Sequence, residues 1–205
     1  MKTITIEGQL RSELGKKATR QLRSEGQVPG VIYGGPQGVS FFAPEAAFNN
    51  LVYTPEFQLA EVKIGDKAYR CVLKDLQFDP VTDKLIHVDL LELVESKKVT
   101  VTLPIKFEGQ PEGVKAGGRL VIKMKSLKVK TFPKNLKEHI EVNIDNLELN
   151  KNIRVQDVKA DNFEILNSPR IPIASVVTTR ALRQEDTAAK PAEEAAAPAS
   201  APAAG

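Results

Sequence analysis

Residues 8–35, GQLRSELGKKATRQLRSEGQVPGVIYGG, decide how the fold begins, because they predict a helix, a break and a strand in succession. The middle of the stretch is predicted to form a short helix. Gly26 stands where a left-handed residue commonly ends a helix, and Pro29 prevents the helix from continuing. The segment Val31-Ile32-Tyr33 then predicts a strand that ends in an aromatic residue and two glycines.

The predicted helix is basic on one side. The stretch contains only two acids, and its five cations are Arg11, Lys16, Lys17, Arg20 and Arg23. At about 100° per residue, Lys16, Thr19, Arg20 and Arg23 fall together, roughly opposite Ala18 and Leu22. With Tyr33 and Gly34 following closely, this arrangement suits a surface that holds a nucleic-acid backbone and its bases. A solvated basic helix is the simpler interpretation of the stretch alone, and both stay open here.

Further strands and turns complete a first domain over residues 1–93. Pro44 is predicted to open a second short helix, and Gly65-Asp66 predicts a two-residue hairpin turn. We expect a mostly antiparallel β domain with two short helices, and a small barrel would leave it without unpaired edge strands. The strand candidates are 3–7, 30–33, 39–42, 57–64, 67–76 and 85–93.

From about residue 94 the pattern changes to short strands separated by Gly, Pro and Asn turns. We expect residues 94–184 to form a second all-β domain that resembles a sandwich. Residues 185–205 are rich in Ala, Pro and Glu, and they cannot bury enough surface to offset the entropy of ordering. This tail is predicted to be disordered. The strand candidates of the second domain are 99–107, 119–124, 127–131, 140–144, 153–155 and 171–177.

Composition predicts a soluble intracellular protein with a polyanionic partner. The single cysteine, Cys71, excludes an internal disulfide framework and suits a reducing cytosol. No stretch resembles a signal-peptide core or approaches the roughly 18 apolar residues of a membrane span. Residues 1–93 carry 11 basic and 12 acidic side chains, residues 94–184 carry 17 and 10, and residues 185–205 carry 1 and 4. Such asymmetry favours a polyanionic neighbour over a small acidic substrate.

One predicted strand contains a pair of residues that could take part in catalysis or in binding. In LIHVDLL, His87 and Asp89 face one way, while Ile86, Val88 and Leu90 face the other. The pair could act as acid and base in a hydrolase, but the sequence places no nucleophile beside it. In an RNA site the carboxylate would accept from base-edge N–H groups or orient the imidazole, and two solvated residues are the third possibility. Metal and nucleotide motifs are missing from the sequence, so we expect no cofactor.

A second basic stretch, residues 115–137, contains eight cations and no acid. Lys123, Lys125, Lys128 and Lys130 stand in pairs two residues apart, as expected for strands with one basic face and one core face. Such lysines can make diffuse contacts with phosphates. They can equally protect an edge strand from aggregation, and the sequence leaves both interpretations open.

Two stretches in the expected order resemble a known family. GQLRSELGKKATRQLRSEGQVPGVIYGG followed by KDLQFDPVTDKLIHVDLLEL is similar to the bacterial large-subunit ribosomal protein family that binds 5S ribosomal RNA. AGGRL and FPKNLKEHIEVNI, in the second domain, resemble the longer general-stress CTC type of that family. The resemblance implies a six-stranded barrel with short helices, docked on the loop E region of 5S RNA, and a structural role in translation without catalysis.

The resemblance and the basic helix together predict the residues that contact RNA. The expected partners are 5S rRNA and neighbouring large-subunit RNA and proteins, with the chain acting as a monomer in cytoplasmic ribosomes and away from membranes. A tRNA anticodon-binding module, which uses similar barrels, is the alternative among RNA-binding proteins, although the chain has no synthetase catalytic region. The predicted contact residues are Arg11, Lys16, Thr19, Arg20, Arg23, Tyr33, Gly34, Gln77, His87 and Asp89.

Overall fold

The structure is a computed structural model that describes residues 1–13, 15–158 and 162–179. Its described residues divide into two compact units. The first comprises Met1–Lys106, Ser126–Ile140 and the described part of Lys159–Asn167, and the second comprises Phe107–Lys125, Glu141–Val158 and the described part of Ser168–Gly205. The predicted disordered tail, residues 185–205, lies outside the described residues, and the predicted domain boundary at residue 94 stays a prediction.

A closed six-stranded barrel forms the core of the first unit, which confirms the predicted barrel. The strands follow one another around it in the order β1-β3-β2-β6-β5-β4. Four neighbouring pairs are antiparallel, whereas β1 with β4 and β2 with β6 are parallel. Their bounds are β1 Thr3–Leu10, β2 Gln27–Tyr33, β3 Val39–Pro44, β4 Leu59–Ile64, β5 Lys67–Phe78 and β6 Leu85–Glu92.

The barrel interior contains the ring of Phe41, a side chain with no exposed surface. Phe41 on β3 stands directly opposite Gly30 on β2. A Cβ added at Gly30 would lie 2.7 Å from Cε1 of the ring, and one at Gly8 on β1 would lie 2.9 Å from Cδ2. The ring therefore occupies the space that two glycines on the flanking strands leave free. Phe48 packs against it with the ring centroids 6.4 Å apart.

Two short helices lie between the barrel strands, α1 at Lys16–Ser24 and α2 at Glu45–Val52. Gly26 follows α1 with φ +74°, as predicted for a left-handed helix end. Pro44 is the last residue of β3 and immediately precedes α2, one position earlier than the expected first-turn proline. The buried side of α2 presents Phe48 and Leu51 to the barrel core.

The described residues beyond the barrel form two further sheets, which confirms that the fold is mainly β. One is four-stranded in the order β10-β7-β9-β12, and the other is three-stranded in the order β11-β13-β8. The one-turn helix α3 (Glu112–Lys115) and the two-residue strand β12 were not anticipated. The remaining strands are β7 Val99–Glu108, β8 Arg119–Ile122, β9 Ser126–Thr131, β10 Ile140–Asn143, β11 Asn152–Arg154, β12 Glu164–Ile165 and β13 Pro172–Val177.

The fit of Phe41 against glycine can be tested by adding one methyl group. Gly30→Ala is expected to lower the free energy of unfolding by about 1–3 kcal/mol, because the new Cβ would overlap the buried ring. The matched control is Gly38→Ala, where the nearest atom would be 3.8 Å away, and it should change stability little. Urea unfolding at an unchanged m-value measures both. Equal stabilities for the two variants would contradict the packing argument.

Candidate nucleic-acid interface

The outer face of β6 carries the polar residues singled out in the sequence. Val88 and Leu90 are fully buried in the barrel, whereas His87 and Asp89 alternate with them and are partly exposed on the outside. On the antiparallel neighbour β5, Gln77 stands opposite His87 and Asp75 stands opposite Asp89. The structure therefore brings Gln77, His87 and Asp89 onto one outer surface.

Asp75 is a member of this surface that sequence reasoning missed. It lies opposite Asp89 in the β5–β6 ladder, and its side chain is exposed. The signal was present in the sequence, because Asp75 and Gln77 are two residues apart on one strand and so share a face. Two carboxylates opposite each other repel, so the patch favours hydrogen-bond donors or cations over phosphates.

His87 and Asp89 lie side by side, with Nδ1 of the imidazole 2.8 Å from Oδ1 of the carboxylate. Nδ1 is sealed from solvent, and no described residue gives it a hydrogen bond of acceptable geometry. The contact is therefore a close approach of the two groups, which becomes an ion pair when the imidazole is protonated. Both side chains keep part of their surface open, 21% for His87 and 32% for Asp89, so a ligand can reach them.

Tyr33, at the end of β2, belongs to the same electrostatic environment. Burial raises the pKa of its phenol, and the nearby charges of Asp89 and Asp75 raise it further. Its side chain is nevertheless 37% exposed, so an aromatic surface is available for stacking. The hydroxyl stays protonated at neutral pH and can donate a hydrogen bond.

Gly34 holds the chain in a conformation that a side chain would disturb. Its φ is +96°, and a Cβ there would lie 2.6 Å from Cδ1 of Leu91. Its carbonyl oxygen accepts a hydrogen bond from Nζ of Lys97 at 3.0 Å. Gly34 therefore supports the position of Tyr33 through the backbone.

Arg23 connects helix α1 to the polar face of β6. Its Nε donates a hydrogen bond to the carbonyl oxygen of Ile86 at 3.1 Å, next to His87 in the chain. The helix also packs on β2, and a cleft between helix and barrel is lined by Ala18, Leu22 and Phe42. The apolar side of α1 therefore faces the barrel, as the helical spacing predicted. Arg23 has a structural bond in addition to any contact with a ligand.

Arg11 and Thr19 contact each other. Nη2 of Arg11 donates to the hydroxyl of Thr19 at 2.8 Å, and its Nε donates to the carbonyl oxygen of Glu13 at 3.0 Å. The Thr19 hydroxyl in turn donates to the carbonyl oxygen of Gly15 at 2.6 Å. Both residues are partly buried, so they brace the start of α1. Helical spacing alone had placed Thr19 among the exposed cations.

Lys16, Arg20 and Arg23 are the exposed cations of the predicted set on α1, and Lys16 and Arg20 differ from Arg23 in their contacts. Among the residues that the structure describes, neither has an ion pair or a side-chain hydrogen bond. Their charges are therefore available to a phosphate without breaking an existing contact, and this distinguishes them from Arg11 and Arg23.

Chemistry other than binding finds little support in the described residues. Burial raises the pKa of the Cys71 thiol to about 12, so it is not a thiolate nucleophile at neutral pH. Within residues 1–13, 15–158 and 162–179, His, Cys, Asp and Glu form no group of three or more that could hold a metal ion. No helix in those same ranges is long and apolar enough to span a bilayer.

Comparison with known proteins gives matches in both halves of the chain. A model of the ribosomal L25p family matches residues 6–90, and one described as ribosomal protein TL5, C-terminal domain, matches residues 98–180. Similar curated proteins are named large ribosomal subunit protein bL25. The one from Amoebophilus asiaticus is 44% identical over 183 residues, covering 89% of this chain and 93% of the relative. The one from Cytophaga hutchinsonii is 41% identical over 189 residues, covering 92% and 98%.

The charge of Asp89 contributes to the raised pKa of Tyr33, and this contribution can be measured by titration. In Asp89→Asn the pKa of Tyr33 is expected to fall, because the negative charge that disfavours the phenolate is removed, while burial still keeps it raised. Ultraviolet difference titration above pH 9 measures the midpoint, and Tyr33→Phe assigns it among the tyrosines. The raised pKa makes ionisation of Tyr33 unfavourable to the folded state, so stability should fall as pH rises past 10. An unchanged midpoint in Asp89→Asn would show that the two groups are not coupled.

Proposed function

This chain belongs to the ribosomal L25p family and carries a TL5-type C-terminal domain, and we propose that it is a structural constituent of the large ribosomal subunit that binds 5S ribosomal RNA. Its curated relatives are ribosomal proteins, and the chain is not an enzyme. The hydrolase alternative for His87 and Asp89 is therefore dropped. No feature of the described residues favours the tRNA anticodon-binding alternative.

The observation that carries the proposal is the composition of one outer face of the barrel. Arg23 reaches β6 at one end of this face, Tyr33 lies at the other, and His87 and Asp89 stand between them. Helix α1, which carries the exposed cations Lys16 and Arg20, packs on β2, the strand that pairs with β6. Cations for phosphates, an aromatic ring for stacking and polar groups for base edges are the three kinds of contact that RNA recognition uses.

The cations and the carboxylate have different roles in the proposed binding. Lys16 and Arg20 supply phosphate contacts that raise affinity without reading sequence. Asp89 is repelled by phosphates, so in the complex it accepts hydrogen bonds from base N–H groups in a groove. The wide minor groove of an irregular RNA helix exposes such edges, which suits the loop E region of 5S RNA implied by the family resemblance.

The proposal also covers location and partners. The chain acts as a single copy within cytoplasmic ribosomes, and its C-terminal region contacts neighbouring ribosomal RNA and proteins. Purification of the tagged chain from its own bacterium, followed by sequencing of bound RNA, is the direct test. We expect 5S RNA to be enriched over its share in ribosomes, and a chain that recovers only tRNA or mixed RNA would contradict the proposal.

Removing one exposed cation tests the phosphate contacts. Arg20→Ala is expected to weaken binding to a loop E hairpin of 5S RNA and to reduce the salt slope of log K by about 0.7–0.9, the value for one phosphate contact. Its thermal stability should not change, since the guanidinium has no partner among the described residues. Lys63→Ala, an exposed cation on β4, is the control. Equal salt slopes for Arg20→Ala and the wild type would exclude Arg20 from the interface.

Asp89→Asn separates base readout from charge attraction. The substitution retains the shape of the side chain, but it replaces one of the two acceptor oxygens with an amide group that can only donate. We expect the preference for loop E over a regular duplex to fall by about 1–3 kcal/mol, as for loss of one specific base contact. The salt slope should stay the same because no phosphate contact is lost. Competition binding gives the preference, and a wild-type value would remove Asp89 from recognition.

A further inference from the structure

The four-stranded sheet has one face of lysines and threonines. On β9, Lys128 and Lys130 are exposed, while Leu127 and Val129 are fully buried. Across the ladder on β7, Thr102 stands opposite Lys128 and Thr100 stands opposite Lys130, and both threonines share the outward side of the sheet. Two ammonium groups and two hydroxyl groups therefore project from adjacent strands.

A third cation is held against the backbone of β7 by an irregularity of the barrel. Leu73 pairs with Leu90 and Asp75 pairs with Asp89, so Lys74 is the extra residue of a β-bulge in β5. A bulge redirects its side chain, and Nζ of Lys74 donates to the carbonyl oxygen of Thr100 at 3.2 Å. Lys74 is thereby held beside Thr100, the residue that stands opposite Lys130. We name Thr100, Thr102, Lys128 and Lys130 the lysine–threonine face, and Lys74 reaches it through the backbone of Thr100.

Protection of an edge strand does not account for these lysines, because β9 is an interior strand. It pairs with β7 along one side, and β12 pairs with Val129 and Lys130 on the other. The backbone of Lys128 is also bonded on that second side, its N–H to Oδ1 of Asn167 and its carbonyl oxygen to the N–H of Leu166. An interior strand needs no charge to deter pairing.

The lysines of β9 also lack internal partners. Among the described residues, neither Lys128 nor Lys130 has an ion pair, and the acid nearest in register is Glu164, opposite Lys130 on β12. Side chains two apart on a strand are about 7 Å from each other, so their like charges repel mildly. A polyanion that spans both groups would relieve this repulsion.

From these observations we propose that the lysine–threonine face is a second RNA-binding surface, which takes the phosphodiester backbone of a double-stranded ribosomal RNA segment. Lysine ammonium groups and threonine hydroxyls are ordinary partners of phosphate oxygens. The face contains no aromatic side chain for base stacking, so it recognises the backbone and not the base sequence. It shares no residue with the surface proposed for 5S RNA, and therefore it adds a separate contact.

The test uses the full chain and two RNA probes, a loop E hairpin of 5S RNA and a regular duplex of about 16 base pairs that lacks it. In Lys128→Gln/Lys130→Gln, duplex binding is expected to weaken about tenfold at low salt, and its salt slope should fall by roughly 1.4–1.8, the value for two phosphate contacts. Affinity for loop E should stay within about twofold of the wild type. The control, Lys63→Gln/Lys67→Gln, removes the same charge from the exposed β4–β5 hairpin.

The outcomes separate this inference from the proposed function. If the β9 double variant loses no more duplex affinity than the control, the effect is one of net charge and the inference is wrong. If it loses loop E affinity equally, the face belongs to the 5S site and is not a second surface. A wild-type chain without preference for loop E would overturn the proposed function alone.

A measurement on the wild-type chain avoids any effect of substitution on folding. Amine-reactive labelling followed by mass spectrometry should show Lys128 and Lys130 protected when the duplex is bound. Lys63 and Lys67 should keep their reactivity. Full reactivity of Lys128 and Lys130 in the complex would overturn the inference.

Discussion

The packing of the Phe41 ring against two glycines is the constraint on which the barrel depends. Phe41 lies on β3, between β1 and β2, and each flanking strand offers a glycine, Gly8 or Gly30, at the level of the ring. An aromatic ring contributes more buried apolar area than any aliphatic side chain, but it fits only where its neighbours are small. One large and two small residues thus satisfy both the volume of the interior and the close approach of three strands.

This packing has a consequence on the outside of the barrel. Gly30 also stands in register with Val88 on β6. Strand β2, which leaves room for the Phe41 ring, therefore pairs with β6, the strand that carries His87 and Asp89. Because side chains alternate along each strand, burial of Val88 and Leu90 directs His87 and Asp89 outward. Tyr33 ends the same β2 strand. The register that fills the core therefore also determines which side chains of β6 face outward.

Local sequence predicted most of the elements but few of the contacts between them. The end of α1 at Gly26 and the outer face of β6 around His87 were predictable, because each is indicated by residues adjacent in the chain. The hydrogen bond from Arg23 to Ile86 joins residues far apart in sequence, and no local pattern indicates it. The same holds for the β-bulge at Lys74, which becomes visible only in the register of β5 against β6. Strand β12 was missed because two residues are too few to show a period.

Charge on this chain is arranged by strand and not by domain alone. Asp75 and Lys74 are consecutive on β5, yet the bulge places the carboxylate opposite Asp89 and the ammonium beside Thr100. In the proposed complex, the acidic patch around Tyr33 would weaken a purely electrostatic attraction, so its value there would lie in discrimination among RNA structures. The proposed backbone contact of the lysine–threonine face adds affinity without such discrimination, although Glu164 stands opposite Lys130. A single bulged residue thus separates a surface proposed to discriminate from one proposed to add affinity.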